Sequence, residues 1–320
     1  MTNRPLVAVH GHAIAELAVL LQDACYLFDK TVSLEDKALG GWSNINIRGQ
    51  SDGIDFVLKL PCSVSSNDIK PYKKLYDVSL FLNHRGIAPL PLYLGRLNDA
   101  KATPFIIFEF VDGVIHDTLT EFTTPEIVSL KKCLLNLSSQ KPPGLREYES
   151  SSDYLIAIHS IIENHEGLSI CSQELDMLIE SFDDLYSKVL SYTDTLGKWH
   201  SSTMHGDLWV PNIIFQDEKV ILLDFEACAY GNRLYDYAYL LEAPVNSFEY
   251  YPQRLLHEDE VVDVNQLRPL ALAYLIAWSL ERLLSAESGL IEPSLATPAS
   301  WSAVANYTRS KISRLKNLLS

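Results

Sequence analysis

The chain has 320 residues, of which 47% are hydrophobic and 21% are charged, and its formal net charge is −15 at neutral pH. This composition is typical of a globular protein and excludes wholesale disorder. The negative charge argues against a nucleic acid or an anionic membrane surface as partner. Five scattered cysteines without a C-x-x-C pair indicate neither a disulfide framework nor a structural zinc site, so we expect a reducing, cytoplasmic location.

No segment of the sequence predicts a membrane anchor. Glu16 interrupts the N-terminal apolar stretch, which is therefore not typical of a signal peptide. The longest apolar run, from Pro269 to Leu280, is too short to span a bilayer and predicts a buried helix. The length of the chain predicts two domains or one large, lobed fold.

The first third of the chain predicts a helix followed by a small antiparallel sheet. Apolar positions at helical spacing predict the helix over 13–28. Three short β-rich segments follow, "TVSLEDKALGG", "WSNINIRG" and "GIDFVLKL". A second helix is expected between the capping candidates Asn67 and Asp68 and the terminator Gly86. Two further strands, "LPLYLGRL" and "PFIIFEFVDG", complete the sheet near Val111.

The remainder of the chain predicts a mainly helical unit. Helical spacing recurs over 125–139, 152–165, 172–193, 234–242, 264–286 and 298–318. The exception is "NIIFQDEKVILLDF", which predicts a hairpin with its turn from Gln216 to Lys219. We therefore predict an α+β protein with an N-terminal lobe over 1–111 and a helical C-terminal lobe over 112–320.

Three polar side chains flank the predicted hairpin. Asp207 lies in the loop before it, Asn212 comes just before its first strand, and Asp224 follows its second strand. Because a hairpin brings its two ends together, we expect Asn212 and Asp224 to lie side by side with Asp207 opposite. Magnesium prefers oxygen ligands, a few from protein and the rest from phosphate and water. The arrangement suits a magnesium ion between Asn212 and Asp224 and a hydroxyl group near Asp207, as phosphoryl transfer requires.

The pattern H-x-D-x-x-x-x-N, followed by an apolar strand and Asp, resembles the signature of the aminoglycoside phosphotransferase and choline kinase superfamily. The string "HGDLWVPNIIF…VILLDFEACAYGNRLYDYAYLL" covers most of that signature, and details are also similar to fructosamine kinases and ecdysteroid-kinase-like proteins. The resemblance implies a bilobal, protein-kinase-like fold that uses ATP, or GTP, with Mg²⁺. It makes Asp207 the catalytic carboxylate and Asn212 and Asp224 the magnesium ligands. His205 and Asp236 would support the catalytic loop.

The first lobe contains candidates for nucleotide binding. Kinases hold the α- and β-phosphates with a lysine on the third strand, where this sequence has Lys59. Taken alone, such a lysine is more often a solvated edge residue. The segment "GGWSNINI" resembles the family's G-G-x-x-N loop. Gly41 would allow close backbone approach to phosphate, and Ser43 and Asn44 could donate hydrogen bonds to it.

Two further parts of the nucleotide site follow from the resemblance. The family pairs the strand lysine with a glutamate on the crossing helix, and the best-placed acid here is Asp77. This is a departure, because aspartate reaches one methylene less. The Glu109 carbonyl and the Val111 amide would bind adenine where the last strand of the first lobe ends.

The residues that would bind the phosphoryl acceptor are the weakest part of the pattern. Candidates in the helical half are Glu226, Glu242 and Trp278, near other aromatic residues at Tyr274, Trp301 and Tyr307. An acidic, aromatic pocket would suit an amine or a quaternary ammonium group. Aromatic residues at helical spacing are, however, more often core residues.

Three functional hypotheses remain. The favoured one is an ATP- or GTP-dependent kinase that phosphorylates a hydroxyl of a small, amine-bearing metabolite or antibiotic. The second is a metabolic enzyme similar to fructosamine kinase or to choline and ethanolamine kinases. The third is a nucleotide-binding pseudokinase that acts as a scaffold; the intact Lys59, Asp207, Asn212 and Asp224 argue against it, and only Asp77 favours it. The acceptor, the nucleotide preference and the oligomeric state stay open.

Overall fold

The computed structural model describes residues 4–6, 8–40, 44–63, 67–163, 172–196, 199, 201–217, 219–245, 252–293, 295 and 297–320. The chain forms two compact units. The first consists of Met1–Val114, Ile221–Glu226 and Gly289–Thr297, and the second of Ile115–Val220, Ala227–Ser288 and Pro298–Ser320. The division after residue 111 expected from the sequence stays a prediction.

The first unit is built on one antiparallel sheet. Its elements in chain order are β1 (Arg4–Pro5), β2 (Ala8–Val9), β3 (His12–Ala13), α1 (Ile14–Ala24), β4 (Ser33–Ala38), β5 (Asn44–Ser51), β6 (Ile54–Pro61), α2 (Lys70–Asn83), β7 (Pro91–Arg96) and β8 (Pro104–Glu109). Six strands lie in the order β1-β4-β5-β6-β8-β7, and β2 pairs with β3 separately. The turn between β5 and β6 is Asp52-Gly53, and both residues have positive φ, as a tight hairpin turn favours.

Strand β6 separates the core from a buried polar face. Phe56, Leu58 and Leu60 are fully buried and belong to the hydrophobic core of the first unit. Because side chains alternate along a strand, Lys59 lies on the opposite face. It is paired on both sides, opposite Asn46 of β5 and Ile106 of β8, and is only 4% exposed. Lys59 is therefore a buried residue of a central strand and not a solvated edge lysine.

The second unit is mainly helical. Its elements in chain order are α3 (Thr124–Ser138), β9 (Arg146–Glu147), α4 (Ser151–Glu163), α5 (Gln173–Thr193), β10 (Ser201–Met204), β11 (Ile213–Gln216), β12 (Lys219–Leu222), β13 (Ala229–Asn232), α6 (Tyr235–Glu242), α7 (Pro252–Leu255), α8 (Glu258–Glu287) and α9 (Pro298–Leu319). Strand β12 belongs to the second unit up to Val220 and to the first unit from Ile221. Strands β11 and β12 form the predicted hairpin. Strand β13 lies between β10 and β9 in a three-stranded sheet.

Helix α8 is the centre of the second unit. It contacts α4, α5, α6 and α9, and its buried residues cover most sides of the helix over the stretch from Leu267 to Leu284. A helix that is apolar nearly all round is expected to be surrounded by other helices. None of the described helices is long and apolar enough to cross a membrane.

Candidate active site

In the first unit, Lys59 forms ion pairs with two carboxylates that follow strand β12. Its Nζ lies 2.8 Å from Oδ1 of Asp224 and 3.0 Å from Oε1 of Glu226. Burial of the amine lowers the pKa of Lys59, but the two carboxylates more than offset this, so the pKa is raised above its ordinary value. The lysine therefore remains charged at physiological pH, and the structure brings Lys59 and Asp224 into direct contact.

The backbone at Asp224 has a conformation that few residues adopt. Its φ of 64° lies in the left-handed region, which aspartate tolerates better than most non-glycine residues. The turn immediately follows β12 and continues into the short 3₁₀ helix Phe225–Ala227. Asp224 and Glu226, two positions apart, are thereby both brought to the same amine.

Glu226 is held by a chain of side-chain hydrogen bonds inside the first unit. The Asn44 amide nitrogen donates to Oε1 of Glu226 at 2.7 Å, and the Tyr72 hydroxyl donates to Oδ1 of Asn44 at 2.8 Å. Both polar atoms of the buried Asn44 side chain are thus engaged within the protein. The structure does not support Asn44 as the phosphate donor expected from the sequence. Gly41 and Ser43 lie outside the described residues.

The structure corrects the expected partner of Lys59 on helix α2. Asp77 pairs with Lys73, one turn earlier on the same helix, through contacts of 2.8 and 3.0 Å. The Asp77 side chain is 42% exposed, whereas the buried side of α2 presents Tyr72, Leu75 and Val78. Asp77 is therefore on the solvent side of the helix, and the carboxylates that neutralise Lys59 come from the segment after β12.

The predicted adenine-binding residues lie at the end of β8. The Glu109 amide donates to the Leu90 carbonyl at 2.9 Å, and the Leu90 amide donates to the Glu109 side chain at 2.7 Å. These bonds fix the point at which β8 ends, and Val111 follows two residues later. The assignment of the Glu109 carbonyl and the Val111 amide to adenine stays a prediction.

In the second unit, strand β10 leads directly into the loop that carries Asp207. The amides of His205 and Gly206 donate to the two carboxylate oxygens of Asp236, at 2.8 and 2.9 Å. Gly206 has a φ of +83°, and a Cβ added to it would lie 2.4 Å from the Ala227 carbonyl oxygen. Only glycine fits this position, which fixes the direction of the chain just before Asp207.

Asp236 is almost completely buried, on the first turn of α6. Burial raises its pKa to about 7, although the two amide donors act in the opposite direction. Asp236 holds the backbone on the N-terminal side of Asp207, and its supporting role in catalysis stays a prediction. His205 is fully buried, and its Nδ1 accepts a hydrogen bond of 3.3 Å from the Asp207 amide.

Asp207 has a partner that the sequence did not single out. The hydroxyl of Tyr239, on α6, donates to Oδ1 of Asp207 at 2.5 Å. Burial and the charge of Asp207 raise the pKa of Tyr239 well above its ordinary value, so the hydroxyl keeps its proton and acts as a donor. The sequence offered one signal, because Tyr239 lies three positions after Asp236 on the same predicted helix. Its spacing on the helix is equally that of a core residue.

Asn212 is connected to the same loop. Its amide nitrogen donates to the main-chain oxygen of Asp207 at 3.0 Å. This bond leaves the carboxamide oxygen as the atom suited to a metal, and a carboxylate and a carboxamide are oxygen donors of the kind magnesium takes. Among the described residues, no cluster of three or more His, Cys, Asp or Glu side chains is arranged to hold a metal. The close approach of Asn212 and Asp224 expected from the hairpin stays a prediction.

Glu242 was expected to bind substrate, and the structure corrects this. Its side chain is fully buried at the end of α6, where Arg268 of α8 and Arg314 of α9 donate to it. Lys311 donates to the Glu242 carbonyl beside this pair. A carboxylate neutralised in this way inside the protein joins three helices and is not available to a ligand.

Aromatic residues accompany Asp207 within the second unit. The rings of Tyr239 and Tyr274 meet edge to face with centroids 5.8 Å apart, and Tyr235 lies 6.0 Å from Tyr239. Trp278 is half-buried one turn after Tyr274 on α8. The structure therefore surrounds Tyr239 with further tyrosines, while the part of Trp278 in substrate binding stays a prediction.

Comparison with known proteins gives a consistent result. A family model described as "phosphotransferase enzyme family" matches residues 37–278. A search of curated proteins found no match. Similar solved structures include a Plasmodium vivax ethanolamine kinase, with 18% identity, a TM-score of 0.62, and coverage of 93% of this chain and 86% of that chain.

Two further solved structures are similar over nearly their whole length. Spectinomycin phosphotransferase, in complex with ADP and spectinomycin, is 11% identical with a TM-score of 0.61, and 94% of this chain and 97% of that chain are covered. A choline kinase from Streptococcus pneumoniae is 15% identical with a TM-score of 0.59, and the coverage is 95% and 97%. Likeness at these identities shows the fold, and it confirms the predicted α+β kinase-like fold with a small antiparallel sheet and a larger helical part.

Proposed function

The chain belongs to the phosphotransferase enzyme family, and from this membership we propose that it transfers the γ-phosphoryl group of ATP or GTP to a hydroxyl of a small, amine-bearing molecule. The resemblance found in the sequence is thereby confirmed, and the protein is a small-molecule kinase. The observation that carries the finer proposal is the contact of 2.8 Å between Lys59 and Asp224. It joins a buried, charged amine to the carboxylate expected to hold a metal.

Each residue has one task in the proposed reaction. Lys59 binds the non-transferred phosphates of the nucleotide, for which a permanently charged amine is suited. Asp207 accepts the proton of the acceptor hydroxyl at its carboxylate and orients that hydroxyl toward the phosphoryl group. Asp236 and His205 hold the loop in place, and Tyr239 fixes the carboxylate of Asp207. Positioning of this kind contributes most of the catalysis in phosphoryl transfer.

Magnesium fits the donor atoms that the chain offers. Asn212, through its carboxamide oxygen, and Asp224, through its carboxylate, would hold the ion. The ion, when bound with nucleotide, neutralises charge on the phosphates. Two protein ligands are enough, because magnesium usually keeps water and phosphate oxygens in its coordination shell. Asp224 would exchange its contact with Lys59 for the metal.

The aromatic surroundings of Asp207 favour an acceptor that carries a positive charge. Tyrosine faces attract amines and quaternary ammonium groups, and the ring of Tyr274 packs against that of Tyr239, whose hydroxyl donates to the carboxylate. Amino-alcohols such as ethanolamine and choline combine such a group with a hydroxyl. The ethanolamine and choline kinases among the similar structures support this acceptor class. With such an acceptor the protein would be a metabolic enzyme, which is the second hypothesis from the sequence.

The proposal is tested by phosphoryl transfer to a panel of acceptors. We would incubate the protein with magnesium and ATP or GTP in the presence of ethanolamine, choline, a fructosamine, spectinomycin or hygromycin B, and detect the phosphorylated product by mass spectrometry. We expect product with at least one hydroxylated amine. Tight nucleotide binding without transfer to any acceptor would instead support a pseudokinase scaffold.

Asp207→Asn separates catalysis from binding. Removing the carboxylate should lower kcat by about two to four orders of magnitude, since it removes the group that receives the proton. Nucleotide affinity, measured by calorimetry, should remain within about twofold, because Asp207 makes no contact with the phosphates in the proposal. Asp217→Asn, an exposed change in the hairpin turn, is the matched control. Near-normal turnover of Asp207→Asn would contradict the assignment.

A further inference from the structure

We infer that Tyr72 is a positioning residue for the phosphate-binding amine of Lys59 and that it acts through Asn44 and Glu226. This inference rests on the proposed function, because it concerns the amine that would hold the nucleotide phosphates. All four residues belong to the first unit of the chain. Tyr72 itself touches neither the amine nor, in the proposal, the nucleotide.

The hydrogen bonds from the helix and from the amine meet at the carboxylate of Glu226, which accepts from both Asn44 and Lys59. The Tyr72 hydroxyl donates to Asn44, the Asn44 amide nitrogen donates to Glu226, and Glu226 lies 3.0 Å from the Lys59 Nζ. Tyr72 is 6% exposed, Asn44 5% and Lys59 4%. Burial and the nearby carboxylate Glu226 raise the pKa of Tyr72, so its hydroxyl stays a donor. The orientation of Asn44 is therefore determined from both sides.

Glu226 becomes the essential partner of Lys59 once the nucleotide binds. In the structure Lys59 forms ion pairs with both Asp224 and Glu226. In the proposed reaction Asp224 binds the metal and no longer pairs with the amine. Glu226 is then the carboxylate that remains on Lys59, because Asp77 of α2 pairs with Lys73 on the solvent side. An unpaired ammonium in a buried site is costly, so the position of Glu226 decides where the amine can stay.

Helix α2 is therefore connected to the Lys59 amine indirectly, through hydrogen bonds, and not by the direct contact with Asp77 expected from the sequence. Tyr72 on the buried side of α2 supplies the link, and the Lys74 Nζ of the same helix adds a bond of 3.3 Å to the main-chain oxygen of Glu226. Tyr72, Asn44 and Glu226 together form the link from the helix to the amine. Movement of α2 is thus coupled to Lys59 through Glu226.

The test is the binding of two ligands to Tyr72→Phe. This change removes the hydroxyl and keeps the ring, so Asn44 is released from one side. We expect the affinity for magnesium-ATP, measured by calorimetry, to fall about three- to tenfold, the effect of losing one buried hydrogen bond. The affinity for adenosine, which has no phosphates, should stay unchanged. A general structural defect would weaken both ligands, and equal loss for both would overturn the inference.

Controls keep the inference separate from the proposed function. Tyr76→Phe, a half-buried tyrosine one turn along α2, should bind both ligands as the wild type does. Asn44→Ser breaks the same link without altering α2 and should reproduce the selective loss; it also serves if Tyr72→Phe fails to fold. If wild-type protein binds no nucleotide, the proposed function fails. If the wild type binds magnesium-ATP, and Tyr72→Phe and Asn44→Ser bind it as tightly as the wild type does, only the inference fails.

Discussion

The carboxylate of Asp207 shows how single residues set the properties of the site. The Asp207 amide donates to His205, and its main-chain oxygen accepts from Asn212. Its side chain has a separate partner, the hydroxyl of Tyr239. The backbone is thus fixed independently of the carboxylate. A change at Tyr239 should therefore alter the behaviour of the carboxylate while the loop keeps its conformation.

Tyr239→Phe should lower kcat by about tenfold, because the carboxylate of Asp207 loses one hydrogen bond that holds it in place. The affinity for magnesium-nucleotide should not change. The measurement is steady-state kinetics with the best acceptor of the panel, accompanied by nucleotide calorimetry. Tyr237→Phe, two positions earlier on α6, is the matched control. A wild-type kcat for Tyr239→Phe would show that the hydroxyl has no part in catalysis.

The raised pKa of Asp236 predicts a pH dependence of stability. The pKa increases from 3.8 to about 7 on folding, so the native state binds more protons than the unfolded state between these values. The free energy of unfolding should therefore fall as the pH rises from about 4 to about 7, and this contribution is fully present only below the unfolded pKa. Asp236→Asn cannot titrate. Denaturant unfolding of both proteins across this range should show the wild type losing stability relative to the variant, and parallel profiles would contradict the pKa.

At the level of secondary structure, the elements with strong periodicity were predictable. The hairpin of β11 and β12, the five principal strands of the first unit and the long helices follow the apolar runs, alternation and helical spacing of their residues. Strands β9, β10 and β13 are short and lack the apolar run that marks β11 and β12. Helix α8 begins at Glu258 and not at 264, because its first turns are charged and carry no apolar pattern.

Contacts between elements were less predictable than the elements. The pairing of Lys59 with an acid on α2 was expected from the family pattern, but Asp77 lies on the solvent side of the helix. The buried side, marked by the spacing of Tyr72, Leu75 and Val78, carries no acid. The contacts of His205 and Asn212 with the Asp207 backbone are short-range, and the spacing of the motif is sufficient to predict that these residues lie together. Glu242 was misjudged since its partners, Arg268 and Arg314, are distant in sequence.

Glu242→Gln should destabilise the second unit. It would leave Arg268 and Arg314 without their carboxylate inside the helical core, and breaking a buried ion pair of this kind costs about 3–5 kcal/mol. The measurement is the free energy of unfolding in denaturant. Glu174→Gln is the matched control, because Glu174 pairs with Arg309 at the surface, where such pairs contribute about 0–1 kcal/mol. Equal effects of the two changes would show that the Glu242 cluster is not a structural tie.

For the whole molecule, ligand binding should appear as a gain in stability. Magnesium-ATP at about 100 times its Kd should add about 2.7 kcal/mol to the free energy of unfolding and raise the Tm accordingly. Asp224→Asn should lose the part of this gain that requires magnesium. Asp217→Asn should keep it, and both positions have a positive φ that asparagine tolerates. A magnesium-dependent gain of wild-type size in Asp224→Asn would remove Asp224 from the metal site.

The contact between Lys59 and its two carboxylates has a consequence for the charge inside the first unit. One ammonium and two carboxylates leave a local charge of −1, so neither Asp224 nor Glu226 is a bare anion in the interior. In the proposed reaction, a divalent cation at Asp224 would reverse the sign of this charge and weaken the pairing with the ammonium, which would then be available to the phosphates of the nucleotide. Lys59 would thus act as a counter-ion to the two carboxylates until the metal replaces it at Asp224, and binding of the metal would be coupled to binding of the nucleotide.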